Sequence, residues 1–241
     1  MTKKKHWATD ITLKNIEDSK EWLQNWYSER LPVLGLNNLS DKVEEGLNTP
    51  YQISGYYPIE NTKDHIRLPL NIDGMYVVPN QEVTLRSLKK SKYPEGMIVV
   101  RNTGDPEDSL AIHEFTHSVD VDETGTFDPR FTPGVNYTGM DFSIPYGSRP
   151  WEQHAMLMEL RFLNKLDPKK TNYTFDDLKQ MVMNNRESDK IVRVLLEGGM
   201  SVEDILNALN TWAGNSTGIQ IDSTHAYAKL GGKINYLNYF K

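Results

Sequence analysis

Residues 110 to 123, LAIHEFTHSVDVDE, constrain the fold more strongly than any other stretch of the chain. His113 and His117 are four residues apart. On an α-helix this spacing places them about 40° apart around the axis and one turn apart along it. Both imidazoles can then meet one ion. The segment therefore predicts a helix that carries a two-histidine metal site.

Glu114 lies beside this pair on the predicted helix. It is about 100° around the axis from His113, where a carboxylate can take a proton from a water molecule at the metal. Four apolar residues share the opposite side, which predicts a helix divided between polar chemistry and apolar packing, buried beneath a cleft. These residues are Ala111, Ile112, Phe115 and Val119.

Two imidazoles leave a catalytic zinc ion short of its usual three protein ligands. The helix predicted near residues 150 to 166 supplies two candidates, Glu152 and Glu159, on one face and two turns apart. Glu152 is the preferred ligand because it lies in the first turn after a long loop, where a ligand can be presented to a cleft. Glu159 then serves as an outer partner of the site or as a surface charge.

Three further polar residues have predicted positions around this site. Asp120 lies about 20° from His113 around the helix axis, two turns further on. It can accept the second ring N–H of a ligand histidine and fix its tautomer, or it can be a solvent-exposed helix charge. His154 is about 200° from Glu152 and is predicted to point away from the metal. His225 is predicted on the surface, with a role as a transition-state donor as the alternative.

The whole chain predicts an α+β fold with a β-rich segment between helical ends. Residues 51 to 102 contain short runs of β-branched and aromatic residues between glycines and prolines, and are predicted to form a small sheet. Asp105 is predicted to cap the two-histidine helix, with Pro106 at its first position. Residues 124 to 150 are a predicted long loop. Further helices are predicted near residues 13–29, 39–47, 150–166, 175–184, 187–197 and 202–212.

Two of these helices are introduced by capping-box spacings. One box pairs Thr174 with Asp177, and the other pairs Ser201 with Asp204. No internal repeat or low-complexity linker interrupts the chain. We therefore predict a helical N-terminal extension over residues 1–50 and a single further domain over residues 51–241.

Charge and composition exclude several classes of function. The chain has 241 residues, a net charge of −6 and a pI near 5.6, so no basic surface for nucleic acid is expected. It contains no cysteine, which excludes disulfides and cysteine-ligated metal sites. No signal peptide or transmembrane segment is predicted. The chain as given is therefore expected in the cytoplasm and away from membranes, with a virion or a released protein as the alternative setting.

Two runs of the sequence together resemble the zincin metallopeptidases in which HExxH is completed by a glutamate on a later helix. The runs IHEFTHSVD and PYGSRPWEQHAMLMELRF are most similar to the anthrax lethal factor and Pro-Pro endopeptidase type. In that type a Tyr-Gly pair precedes the glutamate helix, and an alanine follows the ligand by three positions. The resemblance covers residues 98 to 165. The corresponding residues here are Tyr146, Gly147, Glu152 and Ala155.

The resemblance implies a fold and a set of roles. It implies a zincin-like domain, small and mixed in its sheet, with an active-site helix and a mostly helical C-terminal half. The zinc ligands it implies are His113, His117 and Glu152. Glu114 is implied as the general base, and Tyr146 as the hydroxyl that faces the developing oxyanion.

Three alternatives accompany this reading. Tyr137 is the alternative oxyanion donor, because the spacing from Tyr146 to Glu152 is one residue shorter than in the family. Asp141 is an alternative third ligand, since related enzymes take an aspartate from a Gly-Thr and Tyr-Gly context, although the order and spacing here differ. The second run is also similar to uncharacterised phage-encoded proteins predicted to be zinc peptidases, which implies a component of a phage particle.

The predicted function is a Zn2+-dependent metalloendopeptidase that acts on a peptide or protein substrate. An edge strand over residues 95 to 102 is predicted to align the substrate by backbone pairing. The alternative function is a zincin-fold structural or binding protein, for example in a virion, with a structural or vestigial metal site.

Overall fold

A computed structural model describes residues 2–54, 66, 68, 72–85, 90–105, 108–121 and 145–211, and describes residues 2–9 and 84 by their backbone alone. These residues form a mixture of α-helices and short strands, which confirms the predicted α+β class. The helices within these ranges are α1 Thr2–Leu34, α2 Ser40–Leu47, α3 Leu110–Asp120, α4 Pro150–Leu163, α5 Phe175–Asn184, α6 Arg186–Glu197 and α7 Val202–Asn210. The strands are β1 Tyr51–Ser54, β2 Gly74–Val77, β3 Glu82–Thr84, β4 Lys90–Lys92 and β5 Met97–Arg101.

The chain divides into two compact units, Met1–Thr126 and Phe127–Lys241. Each unit has its own helices, and all the described strands belong to the first. The division proposed from the sequence, with an extension that ends at residue 50, stays a prediction. None of the helices in the described part of the chain is both long and apolar enough to cross a membrane.

The sheet of the first unit has β5 at its centre. β1 pairs with β5 in parallel, and β2 pairs with it antiparallel on the other side. β3 and β4 form a separate antiparallel pair. The prediction of an edge strand over residues 95 to 102 is wrong, because both edges of β5 already donate and accept hydrogen bonds within the sheet. A short, fully buried apolar run is typical of a central strand.

Alternate residues of β5 face opposite sides of this sheet. Val99 and Met97 belong to an apolar cluster together with residues of β2 and of the segment around residue 66. Ile98 and Val100 are also buried and, by the two-residue period of a strand, face the other side. That side is covered by α3, which contacts both β5 and β2. The helix with the two histidines therefore packs on this face of the sheet.

Helices α1 and α2 both pack against α3 within the first unit. The approach of α2 is so close that a Cβ on Gly46 would lie 2.6 Å from the Cα of Val119. Ser118 lies at the same contact between α2 and α3, and its hydroxyl donates to the carbonyl of Gly46 over 2.8 Å. On the other side, the ammonium of Lys20 in α1 lies 5.7 Å from the ring centroid of Phe115. These contacts fix α3 along its length.

Helix α1 is longer than the segment near residues 13–29 predicted from the sequence. Pro32 lies inside its last turn and does not end it. The helix ends at Gly35, whose φ of +71° is the left-handed conformation that glycine adopts without strain. The N–H of Leu36 donates to the carbonyl of Leu31 over 2.9 Å, which is the hydrogen bond of a Schellman motif.

The two-histidine helix begins later than predicted. Asp105 is not its cap, because α3 starts at Leu110 and its cap position is Ser109. The carboxylate that accepts from its first N–H group is that of Asp108, 2.9 Å from the backbone nitrogen of Leu110. Asp105 is used elsewhere, since its carbonyl accepts a hydrogen bond from the side chain of Asn15 in α1. The segment before α3 is therefore held to α1 through the carbonyl of Asp105.

The second unit is built around α4. This helix contacts α6, α7 and a 3-10 turn at Tyr146–Ser148. Leu157 and Leu160 of α4 belong to an apolar cluster with residues of α5, α6 and α7. Arg161, although almost fully buried, donates to the carbonyl of Ala208 over 2.7 Å and so links α4 to α7. One face of α4 therefore packs in the apolar core of this unit.

Local signals located the helices of this unit well. α4 enters through Pro150 as predicted, and α5 has the predicted bounds of residues 175 to 184. Both predicted capping boxes are present, with reciprocal hydrogen bonds between Thr174 and Asp177 and between Ser201 and Asp204. The predicted loop at 124 to 150 lies largely outside the described residues.

Candidate metal centre

Helix α3 is enclosed on all sides. Every residue from Ala111 to Asp120 is buried. The predicted apolar side is confirmed, because Ile112, Phe115 and Val119 have no exposed surface. The polar side is buried as well, which hydrophobic periodicity does not reveal. A helix buried with its polar residues requires partners for them, and a metal ion is one such partner for imidazoles.

The two histidines of this helix lie side by side as their spacing predicts. The ring centroids of His113 and His117 are 4.7 Å apart, and the ring planes are at 86° to each other. Both side chains are almost fully buried. Two adjacent imidazoles on one helix can supply two of the ligands of a metal site.

Glu114 is buried beside them, against strand β2. A Cβ built on Gly74 would overlap the carboxylate Oε1 of Glu114 and would lie 2.9 Å from its Cδ. The same Cβ would lie 2.6 Å from Cδ1 of Leu110, one turn earlier in α3. The carboxylate of Glu114 therefore occupies the space directly above the backbone of Gly74.

Asp120 has no exposed surface. Of its two predicted roles, the solvent-exposed helix charge is therefore wrong. A fully buried carboxylate is costly unless it is paired or accepts hydrogen bonds, which agrees with a role in support of neighbouring polar groups. Its pairing with a ligand histidine stays a prediction.

Glu152 lies in the first turn of α4 and is 8% exposed. Arg149 occupies the cap position of this helix and Pro150 its first position, so the chain enters the helix two residues before the carboxylate. Glu159 is partly exposed. His154 is buried in the same helix. The sequence therefore placed Glu152 correctly near the start of a buried helix.

His113, His117 and Glu152 each offer one ligand atom, and these three atoms lie within 4.8 Å of one another. Across the ranges that the structure describes, this is the one group of three histidine or carboxylate residues with such spacing. Glu159 does not belong to it. Asp141, the other alternative for the third ligand, lies outside the described residues, as do His225 and Tyr137.

The donor set of this cluster suits a metal ion. Two imidazole nitrogens and one carboxylate oxygen are the three protein ligands of many catalytic zinc sites. The cluster could therefore hold a metal ion.

Tyr146 lies on the 3-10 turn that precedes α4, with 49% of its surface exposed. The guanidinium carbon of Arg149 is 5.8 Å from the centroid of its ring. The turn is held to the end of α6 by backbone packing, since a Cβ on Gly198 would overlap the carbonyl of Gly147. Gln153 adds a hydrogen bond of 2.9 Å to the same carbonyl. The role of Tyr146 as an oxyanion donor stays a prediction.

Reasoning from the sequence missed Gly74 altogether. It lies in the run DGMYVVP, where the one local signal was a glycine at the start of a strand. Such a glycine indicates a bulge or a close approach without telling which neighbour approaches. The partner, Glu114, is 40 residues further along the chain, so only the fold shows the relationship.

None of the family models, curated proteins and solved structures with which the chain was compared matches it.

Proposed function

We propose that the chain is a zinc-dependent metalloendopeptidase with a zincin-like fold. The observation that carries this proposal is the convergence of ligand atoms from His113, His117 and Glu152 within 4.8 Å. The position of Glu114 supports it, because a buried carboxylate next to the first ligand histidine is suited to proton transfer. A helix that lies on a small mixed sheet with an antiparallel outer strand supports the zincin-like fold.

Zinc is proposed because of the ligand types. Imidazole and carboxylate ligands in a three-residue set are typical of catalytic zinc, and the chain has no cysteine to build a closed structural site. When bound, such an ion polarises a carbonyl and lowers the pKa of water toward about 7. His113 and His117 would bind it as neutral imidazoles, and Glu152 would supply the negatively charged oxygen.

In the proposed peptide hydrolysis, Glu114 and Tyr146 have separate roles. Glu114 takes a proton from the attacking water and passes it to the amine that leaves. Tyr146 is proposed to donate its hydroxyl to the oxyanion that develops on the scissile carbonyl, with Tyr137 as the alternative donor. Burial of Glu114 strengthens its interactions, because the surroundings screen charge less than water does.

Substrate alignment is proposed to involve β2 in place of the strand predicted from the sequence. β5 has partners on both sides, so it cannot pair with a peptide. Among the described strands, β2 is an outer strand of the sheet and contacts α3, the helix that carries Glu114. An extended peptide can add to such a strand through main-chain hydrogen bonds.

The test compares wild type with Glu114→Gln in metal content and in hydrolysis of a mixed library of quenched fluorescent peptides. We expect about one zinc ion per chain in both proteins, and at least ~100-fold slower hydrolysis in the variant, because a general base contributes about 10²–10⁴ to the rate. Stoichiometric zinc with no hydrolysis of any peptide by the wild type would favour the structural or binding alternative. Absence of zinc from both proteins would reject the proposal.

A further inference from the structure

Gly74 opens β2, and its conformation does not require a glycine. Its φ is not among the positive values that characterise Gly35, Gly96 and Gly104. Any L-residue could therefore adopt the backbone of Gly74 without strain. A glycine in a strand is also unfavourable, since it loses more conformational freedom on folding and has no side chain to pack. Its presence must be explained by the space around it.

That space is occupied by the end of the Glu114 side chain. A Cβ at residue 74 would overlap Oε1 of Glu114, and its next contacts would be Cδ of Glu114 at 2.9 Å and Cδ1 of Leu110 at 2.6 Å. All three atoms are at the ends of flexible side chains. No backbone atom is among these nearest neighbours. A larger residue would therefore be accommodated by movement of the carboxylate and the leucine.

The backbone of Gly74 has little freedom to move instead. Gly74 is opposite Val100 of the central strand β5. The preceding residue, Asp73, accepts from the backbone N–H of Arg101 over 2.7 Å and from its side chain over 2.6 Å. The carbonyl of Ile72 accepts a further hydrogen bond from the same guanidinium, over 2.5 Å. These bonds hold the start of β2 in place on the sheet.

We propose that Gly74 is a positioning residue, which fixes the general base by leaving room for the Glu114 carboxylate above the strand. This inference rests on the proposed function for the catalytic meaning of Glu114, whereas the contact itself is independent of any activity. The carboxylate lies against a surface that has no side chain, so its position is limited by the sheet and by α3. Any side chain at residue 74 would displace the carboxylate from that position.

The kinetic test is Gly74→Ala in the full chain, assayed with the peptide that the wild type cleaves fastest in the mixed library. We expect kcat to fall about 10–100-fold, because a displacement near 1 Å of a catalytic group costs about 10²-fold. KM is expected to change less than threefold, and zinc content is expected to stay at the wild-type value. Unchanged kcat in a variant that binds zinc would overturn the inference.

A second test measures the contact without any activity. The urea midpoint of unfolding is measured for wild type, Gly74→Ala, Glu114→Ala and the double variant, all without metal. We expect the alanine at 74 to lower the midpoint when Glu114 is present, and to lower it less when Glu114 is alanine and only the contact with Leu110 remains. Equal shifts in both backgrounds would show that the two residues do not compete for space.

A matched control for this cycle is Met75→Ala with Glu114→Ala. Met75 follows Gly74 on the same strand, but it packs into the apolar cluster on the opposite face of the sheet. Met75→Ala is expected to change the urea midpoint of unfolding by the same amount with and without Glu114. The two tests also separate the two proposals. Coupling between Gly74 and Glu114 without any peptide hydrolysis by wild type would leave the contact intact and reject the peptidase.

Discussion

The imidazole rings of His113 and His117 lie edge to face, with their centroids 4.7 Å apart. This relationship follows from two histidines four residues apart on a helix, but the helix alone does not complete a metal site. The third residue of the candidate ligand group is Glu152, 35 positions after His117. The first prediction concerns which glutamate of α4 completes the site.

Glu152→Ala is expected to lower zinc affinity by more than about 100-fold, because loss of a ligand exceeds the ~10–100-fold effect of an outer partner. Affinity can be measured by competition with a chromophoric zinc chelator. Glu159→Ala is the matched control from the same helix and should bind zinc within a few-fold of wild type, since Glu159 is outside the ligand group. The opposite ranking of the two variants would assign the ligand to Glu159.

Tyr146→Phe tests the proposed oxyanion donor. Loss of one such hydrogen bond reduces kcat by about 10²–10³-fold, and we expect an effect of that size with zinc content unchanged. Stability should change by no more than about 0.5 kcal/mol, because half of the tyrosine surface is exposed. Tyr137→Phe is the comparison variant. A large loss of kcat in that variant, with normal turnover by Tyr146→Phe, would transfer the role to Tyr137.

Signals that act over a few residues predicted much of this chain correctly. The capping boxes at Thr174 and Ser201 fix the starts of α5 and α7, because side chain and backbone satisfy each other within one turn. The spacing of His113 and His117 likewise depends only on helix geometry. Glu152 was placed by a similar argument, from its position in the first turn of a helix that Pro150 opens.

Relationships between distant segments were not available from the sequence. The central position of β5 depends on which strands pair with it, and a short apolar run does not specify partners. The burial of Asp120 depends on neighbouring segments packed around α3, whereas a helical position only predicts its direction. The start of α3 was misplaced because Asp105 has the residue type of a cap, yet its carbonyl binds Asn15 of α1.

The pairing of Tyr51 with Glu17 predicts a dependence of stability on alkaline pH. Tyr51 donates its hydroxyl to Glu17 over 2.8 Å and joins β1 to α1. Burial, followed by this hydrogen bond and the charge of Glu17, raises the pKa of Tyr51 from its usual 10 to about 12. The folded state thus retains a proton that the unfolded state loses. The stabilising contribution is complete below pH 10 and is lost as pH rises through 12.

Tyr51→Phe should therefore remove part of the fall in unfolding free energy between pH 8 and pH 11.5. The measurement is urea unfolding of wild type and variant at several pH values in this window. Parallel curves for wild type and Tyr51→Phe would show that the Tyr51 hydroxyl does not have a raised pKa.

The capping box of α5 gives the last prediction. The hydroxyl of Thr174 accepts from the backbone of Asp177 over 3.3 Å, and the carboxylate of Asp177 accepts from the backbone of Thr174 over 2.8 Å. Thr174→Ala should cost about 1 kcal/mol in unfolding free energy, measured with urea at pH 7. Asp176→Asn is the matched control, since Asp176 is in the same first turn but outside the box. Asp176→Asn should lower the unfolding free energy by less than half as much as Thr174→Ala does.

Acid adds a second readout to the same box. The backbone and side-chain hydrogen bonds of Thr174 lower the pKa of Asp177 below its usual 3.8. A lowered pKa in the folded state contributes stability that is present above 3.8 and is lost as pH falls through the lower value. Thr174→Ala should bring the pKa of Asp177 closer to 3.8, measured by the carboxyl carbon shift in NMR titration. An unchanged titration in that variant would mean that the hydroxyl of Thr174 does not contribute to the lowered pKa of Asp177.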